Sequence, residues 1–507
     1  MARREPRSVV VEVVAGQPRL AWQRATASEA GGRARACVVR ERVGEGTVAG
    51  RLIAAEDNLE ALEALAAEGL AGAVDLVYID PPFMAGSDRG SGGMAYRDTW
   101  PGGLDGYLDM LRARLVALRP LLAPTGNLFV HLDWHAVHYA KVLLDEIFGA
   151  ANFRNEIVWR RANAHSDPSR FGVITDAILF YGASSRAYWA DVHVPHGPEY
   201  IASHWRRRDA GGRYRLVPLD APRHGDGGQL VYPWRGKLPA ATRTWAIAQA
   251  AMAELEAAGK IVYTRGGTPN RKCYLEESPG LRAQNLWDDI PPVNPMASER
   301  LGYPTQKPVA LLERIIAAAC PGDGLVLDAF LGSGTTAEAA ERTGRRFIGI
   351  DSNPAAIELA RRRLLALAGQ PAREQPRTSY RECPRCRQIS RHARRCSAPA
   401  IALRAFTVET VGAATLRSAE APTLALEHDG DEVQVRLLGA RERVAAWCVD
   451  WEYTPPVLAA QTHHLRPRRG VVESLARHSY ATPGPRRIAV HTIDDAGARA
   501  EALLELE

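Results

Sequence analysis

Short apolar runs alternate with amphipathic stretches through the middle of this 507-residue chain. Arg51-Leu52-Ile53-Ala54-Ala55 reads as a strand. Glu56-Asp57-Asn58 then opens a helix from Leu59 to Glu68, with leucines 59, 62 and 65 on one face and an acid at its cap. The run Val74-Asp75-Leu76-Val77-Tyr78-Ile79 is the next strand, followed by a helix from Leu104 to Leu122 and strands at Gly126–Asp133 and Asp176–Tyr181. Further on, Leu325-Val326-Leu327 leads through a glycine-rich turn into a helix, a strand at Arg346–Asp351 and a helix from Pro354 to about Leu367. Strands alternating with helices predict an α/β fold with a mostly parallel sheet. Residues 1–45 form a basic, irregular arm with one strand-like run, Val9–Val14. Between residues 182 and 298 basic and aromatic residues interleave without clean sheet periodicity, residues 369–398 read as a polar linker, and residues 399–507 alternate as strands do.

Two of these strands end in chemistry. After Ile79 comes Asp80-Pro81-Pro82-Phe83. Open α/β sheets bind ligands outside the carboxyl ends of their strands, and two prolines stop a strand and fix the carbonyls that follow it. One acidic acceptor, outward-turned carbonyls and an aromatic face suit an exocyclic amine on a flat heterocycle; taken alone, the four residues also read as a plain turn. The second is Asp328-Ala329-Phe330-Leu331-Gly332-Ser333-Gly334-Thr335-Thr336, a turn in which backbone can approach a nucleotide-sized ligand. Asp351, about 20 residues beyond Gly332, ends the next strand as an acid suited to ribose hydroxyls. The third glycine of a dinucleotide fingerprint and the Gly-Lys-Thr of a P-loop are both missing from the turn, which argues against NAD and ATP.

Together these segments resemble the amino-directed DNA methyltransferases. Asp80-Pro81-Pro82-Phe83 is similar to their catalytic motif, and Asp328 to Gly334 to their S-adenosylmethionine loop. Tyr303-Pro304-Thr305-Gln306-Lys307-Pro308 is similar to the segment that precedes that loop. The catalytic motif comes before the cofactor motif, the permuted order of the β group, which includes type III modification subunits. The resemblance covers roughly residues 50–365. It implies a Rossmann-like methyltransferase with its catalytic half at 46–181, an inserted target-recognition region at 182–298 and its cofactor half at 299–368. Asp80, Pro81, Pro82 and Phe83 are then catalytic, and Asp57, Asn58, Gln306, Lys307, Asp328, Phe330, Gly332, Gly334, Thr335 and Asp351 bind S-adenosylmethionine. For Asp57, a plain helix cap is the competing reading. Asp rather than Ser before the prolines leans toward adenine N6, with cytosine N4 as the alternative. No Pro-Cys nucleophile motif is present, which disfavours cytosine C5. RNA and release-factor methyltransferases differ in both motif and order. A non-catalytic recognition subunit of a defence complex is the rival from another class.

The remaining features fill in partners. A formal charge of +6 and a pI near 9.0 permit a polyanionic partner. Double-stranded DNA is the expected one, with a restriction or other defence subunit and a second copy of the chain as further candidates. Within the insertion Arg206, Arg207, Arg208, Trp234 and Arg235 are candidates for phosphate contact and base stacking. The N-terminus lacks the apolar core of a signal peptide and no long apolar run suggests a membrane span, so a cytoplasmic protein is expected. Seven thinly spread cysteines fit a reducing compartment. Cys383, Cys386, His392 and Cys396 have a spacing similar to that of a small zinc knuckle, with exposed thiols as the alternative. The tail, through Val449-Asp450-Trp451-Glu452-Tyr453, His478–Gly484 and Asp494–Gly497, resembles polycystic-kidney-disease-type immunoglobulin-like domains and predicts a β-sandwich used for binding or assembly.

Overall fold

The computed structural model describes residues 10–14, 17–21, 36–44, 47–86, 98–164, 167, 169–225, 228–367, 381–382, 389–390, 404–411, 423–429, 432–438, 444–455, 457–466, 471–481, 485–494 and 499–506. The chain falls into two units, one of residues 1–190, 284–372 and 399–507, the other of residues 191–283 and 373–398.

The first unit is built on a ten-stranded sheet. Its elements are β1 (Val38–Val43), β2 (Gly50–Ala55), α1 (Asn58–Leu65), β3 (Val74–Ile79), α2 (Leu104–Leu118), β4 (Leu122–Leu132), α3 (Val137–Phe148), β5 (Phe153–Arg160) and β6 (Thr175–Gly182). They continue as β7 (Leu286–Trp287), α4 (Val309–Ala319), β8 (Leu325–Asp328), α5 (Thr335–Arg342), β9 (Arg346–Asp351), α6 (Pro354–Leu365) and β10 (Phe406–Val411). The strand order is β7-β5-β6-β4-β3-β8-β9-β2-β10-β1. From β4 to β10 all neighbours run parallel, while β6 is antiparallel to both β4 and β5 and β1 is antiparallel to β10.

Strand β3 shows why its sequence is nearly all apolar. Val77 and Ile79 enter one core with Leu62 of α1, Leu111 of α2 and Leu143 of α3. Leu76 and Tyr78 enter the other with Leu312 of α4 and Ile357 of α6. Side chains alternate along a strand, so a strand covered by helices on both faces needs apolar residues at every position. Because β3 pairs with β8 through Val77–Leu327, the carboxyl ends carrying Asp80 and Asp328 lie side by side.

Two segments fall outside the places the sequence reading gave them. Residues 38–43, read as part of a basic arm, and residues 406–411, read as part of the C-terminal domain, are both strands of this sheet. Strand β10 is buried along its whole length and pairs with β2 from Phe406–Gly50 to Val411–Ala55. Glu41 of β1 is 1% exposed. Its carboxylate accepts bonds from Arg361 of α6 (2.9 Å) and Arg499 of the tail (3.1 Å), and Arg499 also donates to Glu358 (2.8 Å). A charge hidden from water needs such partners. Burial opposes ionisation of Glu41, but Arg361 and Arg499 outweigh it and hold the carboxyl down at about 2. Tail and cofactor half are thereby locked into one core.

The rest of the tail forms two antiparallel sheets, one of Thr423–Asp429, Glu432–Leu438 and Leu475–Ser479, the other of Thr462–Leu465, Val444–Asp450, Arg486–Asp494 and Arg499–Leu506. They share a core containing Val433, Val435, Trp447, Val449, Ile488 and Val490, which is the expected β-sandwich.

The second unit contains a four-stranded antiparallel sheet, in the order Arg207–Asp209, Gly212–Pro218, Pro269–Tyr274, Ile261–Tyr263. The sequence reading found no sheet periodicity there. The strands are short and mostly half-buried, so their polar and apolar positions do not alternate cleanly. Among the described residues no helix is long and apolar enough to cross a membrane and no group of three metal-ligating side chains is gathered. The candidate zinc ligands Cys383, Cys386, His392 and Cys396, and most of the loop after Gly86, lie outside the described residues.

Candidate functional site

A cavity of about 560 Å³ opens at the carboxyl ends of β3, β8 and β9. Its wall combines Asp80, Pro81, Pro82 and Phe83 with Asp57, Asn58, Gln306, Lys307, Asp328, Phe330, Gly332, Thr335 and Asp351. Thus both motifs that the sequence singled out, 248 residues apart at Asp80 and Asp328, line one space.

The catalytic candidates are held from two sides. Lys307 donates to Asp80 Oδ2, while Asp80 Oδ1 is buried with no hydrogen-bond partner among the described residues. A buried carboxylate oxygen left bare is costly unless a ligand completes it. Lys307 Nζ also lies 5.1 Å from the centre of the Phe83 ring, and that ring stacks on His131 at 6.0 Å. The lysine read as a cofactor ligand therefore meets the candidate catalytic carboxylate directly. Beyond Phe83, the backbone N–H groups of Met84 (2.7 Å) and Ala85 (3.0 Å) donate to the buried carboxylate of Asp98. Met84 and Thr305 carry positive φ values of 61°, a conformation that side-chain-bearing residues adopt at a cost and that clusters at ligand clamps.

On the β8 side Asp328 accepts from Phe330 N (2.9 Å) and Thr336 Oγ1 (2.5 Å). Burial is the largest influence and pushes its carboxyl up to about 7, against the pull of those two neutral donors. Asp351 accepts from Gly332 N (2.7 Å) and Asn353 N (2.8 Å), and burial likewise raises its carboxyl above the usual range. The bonds fix both acids and leave lone pairs for a ligand.

The glycines divide their work. Gly332 has φ 52°, and a Cβ there would meet the Tyr303 ring at 3.2 Å on the cavity wall. Gly334, expected to face the cofactor, does not line the cavity. Its added Cβ would lie 2.6 Å from Ala360 of α6, so this glycine serves helix packing. Gln306 spends its amide on Leu301 N (2.9 Å) and Glu299 O (2.6 Å), bracing the turn that forms one wall. Asp57 is the cap of α1, accepting from Leu59 N (2.8 Å), and also faces the cavity, so both readings of it hold together geometrically.

Arg114 escaped the sequence reading. It reaches from α2 to Asp57 (2.5 Å) and to Asn58 Oδ1 (2.9 Å), while Asn58 donates to Ala329 O (2.7 Å). Beneath the floor, Tyr78 and His131 share a bond of 2.8 Å, His131 meets Asp176 at 3.2 Å, and Arg161 pairs with Asp176 at 2.7 Å. The only signal for this network was polar residues inside otherwise apolar strands.

In the second unit Arg206, Arg207 and Arg208 are exposed. Trp234 donates to Tyr263 (3.0 Å), and Arg235 pairs with Glu256 (2.8 Å) while lying over the Tyr263 ring. Of the five residues read as nucleic-acid contacts, Trp234 and Arg235 are engaged in this way, and Arg208 also has an interaction partner.

A family model described as DNA methylase, covering N6 and N4 methyltransferases, matches residues 74–362. The chain is 34% identical over 305 residues to the type II methyltransferase M.EcaI of Enterobacter cloacae, covering 59% of this chain and 65% of that protein. It is 31% identical over 324 residues to the StyLTI Mod subunit of a type III restriction-modification enzyme of Salmonella typhimurium, covering 56% of this chain and 48% of that protein. The matched stretch spans less than two thirds of either relative. A solved M1.HpyAVI–SAM complex is similar at 19% identity, covering 62% of this chain and 99% of that one, with a TM-score of 0.33.

Proposed function

Because the chain belongs to the DNA methylase family of N6 and N4 methyltransferases, we propose that it transfers a methyl group from S-adenosylmethionine to the exocyclic amine of a base in double-stranded DNA. The observation that carries this reading is Asp80 Oδ1, a bare buried acceptor in the same cavity as Asp328 and Asp351. Adenine N6 is the proposed target, on the strength of an aspartate before the two prolines. The likeness to M.EcaI and the StyLTI Mod subunit supports a place in restriction-modification, alongside a nuclease or other defence subunit. Methylated DNA digested to nucleosides tests the target: N6-methyldeoxyadenosine supports the reading, and N4-methyldeoxycytidine would replace it.

The residues present fit the cofactor. Asp328 is a buried carboxylate whose own partners are neutral, an environment that a ligand ammonium completes. Asp351 would take the ribose hydroxyls, and Gly332 lets the chain turn close to the ligand. When bound, S-adenosylmethionine supplies an electrophilic methyl group on a sulfonium, a leaving group good enough that no covalent enzyme intermediate is needed. The protein's work is positioning. An exocyclic amine conjugated with its ring is a poor nucleophile. Asp80 and the carbonyl of Pro81 would accept its N–H bonds, favour a more tetrahedral nitrogen and aim its lone pair. Phe83 would stack on the base.

If Asp328 holds the ammonium, affinity for S-adenosylmethionine should depend on pH. With the carboxyl at about 7, acid converts it to a neutral group that cannot balance a cation. Calorimetric titration from pH 8.5 to pH 6 should show affinity falling as pH drops through about 7, approaching ten-fold per unit below it. Asp328→Asn should bind weakly at every pH with the slope removed. A flat wild-type profile would move the ammonium elsewhere.

For the second unit we propose target recognition, supported by exposed Arg206, Arg207 and Arg208, with Arg207 opposite Tyr214 on the neighbouring strand. Phosphate contacts release counterions, so affinity for duplex DNA should fall steeply with salt. Replacing the three arginines with alanine should lower the slope of log affinity against log salt by about 2–3. An unchanged slope in a binding titration would take the DNA path off this strand.

A further inference from the structure

Resting on the reading above, we infer that Phe171, which follows the Arg170 that packs on Trp134, is the wedge that enters the duplex when the target base is extruded. Asp80 Oδ1 lies buried in the cavity, so a base must leave its stack to reach it. The step it vacates needs filling, and proteins that open or kink duplexes insert apolar side chains between base steps.

Position supports the assignment. Ile79 pairs with Val130 and β4 ends at Leu132, which sets Asp80 level with His131, and Trp134 follows in the turn just beyond the strand end. The loop between β5 and β6 rises at the same end of the sheet. Arg161 N donates to Ile174 O (2.9 Å) to close its base, and its stem is tied to the cavity floor through Arg161, Asp176 and His131. His131 in turn supports Phe83.

The cluster is built rather than loose. Asp167 accepts from Ser169 N (3.0 Å), Ser169 Oγ (2.9 Å) and Arg170 Nε (3.1 Å). The Arg170 guanidinium sits 5.2 Å from the centre of the Trp134 ring, and Trp134 stacks on His135 at 3.8 Å. Held on this turn, Phe171 is 98% exposed and Trp134 45% exposed. An aromatic side chain that gives nothing to the core, directly following an arginine that packs on an indole at the end of the sheet where the cavity opens, matches stacked bases with their phosphates nearby.

The test uses the full chain and a duplex whose modified base has been located by sequencing, with the natural base at that position for kinetics and a second duplex carrying 2-aminopurine there for fluorescence. Phe171→Ala should lower kcat/KM on the matched duplex by at least about ten-fold and remove the fluorescence rise that reports extrusion. Its melting temperature should stay at the wild-type value, because the side chain is solvent-exposed. A mismatch opposite the target lowers the cost of extrusion, and on that duplex the variant should come within about three-fold of wild type. Phe171→Leu, which keeps apolar bulk, should retain most activity. Wild-type rates and fluorescence in Phe171→Ala on the matched duplex, or an equal loss on matched and mismatched duplexes, would overturn the wedge alone. A wild-type chain inactive on every duplex would instead overturn the underlying reading, and the wedge with it.

Discussion

Asp80→Ala is expected to lower methyl transfer by about a hundred- to a thousand-fold while leaving affinity for S-adenosylmethionine within a few-fold. Removing one preorganised polar group from a reacting centre costs on the order of 10²–10³ in turnover. Here the group lost is the acceptor that would reshape and orient the amine. Asp328 and Asp351, the acids proposed for the cofactor, keep their own bonds to Phe330, Thr336, Gly332 and Asn353, so binding has little reason to change. Lys307 complicates the variant, since it is only 8% exposed and loses its partner. Stranding a buried charge destabilises by about 3–5 kcal/mol. Asp80→Asn therefore accompanies it: this variant keeps an acceptor and the side-chain volume, and should fold with partial activity. Turnover and calorimetry on both variants decide, and a fully active Asp80→Ala would remove the residue from the reaction.

Ending the chain at Gln370 should yield insoluble protein rather than a smaller enzyme. From sequence the tail reads as separable, because it follows a polar linker and carries none of the assigned contacts. The structure opposes this at β10. Loss of Phe406–Val411 strips β2 of one neighbour and β1 of its partner, leaving an apolar parallel edge open to other chains. It also removes Arg499 from Glu41 and Glu358, which are 1% and 0% exposed. Solubility and size-exclusion profiles of the truncated chain against the full one are the measurement. A monodisperse, cofactor-binding product would show the sheet complete without the tail.

Both misplacements have the same physical origin. Strands β3, β8 and β9 announce themselves because burial on both faces demands unbroken apolar runs, and their terminal acids stand out against that background. Strand β1 carries Arg40, Glu41 and Arg42, and β10 carries two threonines and a glutamate. Their charges are neutralised by partners hundreds of residues away, so nothing local marks them as sheet. Strand β5 was missed for a related reason: most of its positions are only partly covered, so its apolar signal is thin. At the site, the motif residues were legible because proline, glycine and acid at strand ends have few other uses. Arg114 and Asp98 were not. Each acts through a bond to a distant segment, and an arginine on a helix or an aspartate beyond a glycine-rich loop has an ordinary solvated explanation. Gly334 shows the converse, a motif residue whose requirement is the approach of Ala360 and α6.

The central claim is that one cavity brings a methyl donor and a DNA base amine together. The most direct measurement is transfer of tritiated methyl from S-adenosylmethionine to duplex DNA by the full chain, with modified-base sequencing of the product. The account predicts label in DNA at a defined sequence, on an exocyclic amine, with Asp80→Ala giving none above background. A soluble chain that binds S-adenosylmethionine yet leaves every duplex unlabelled would contradict it.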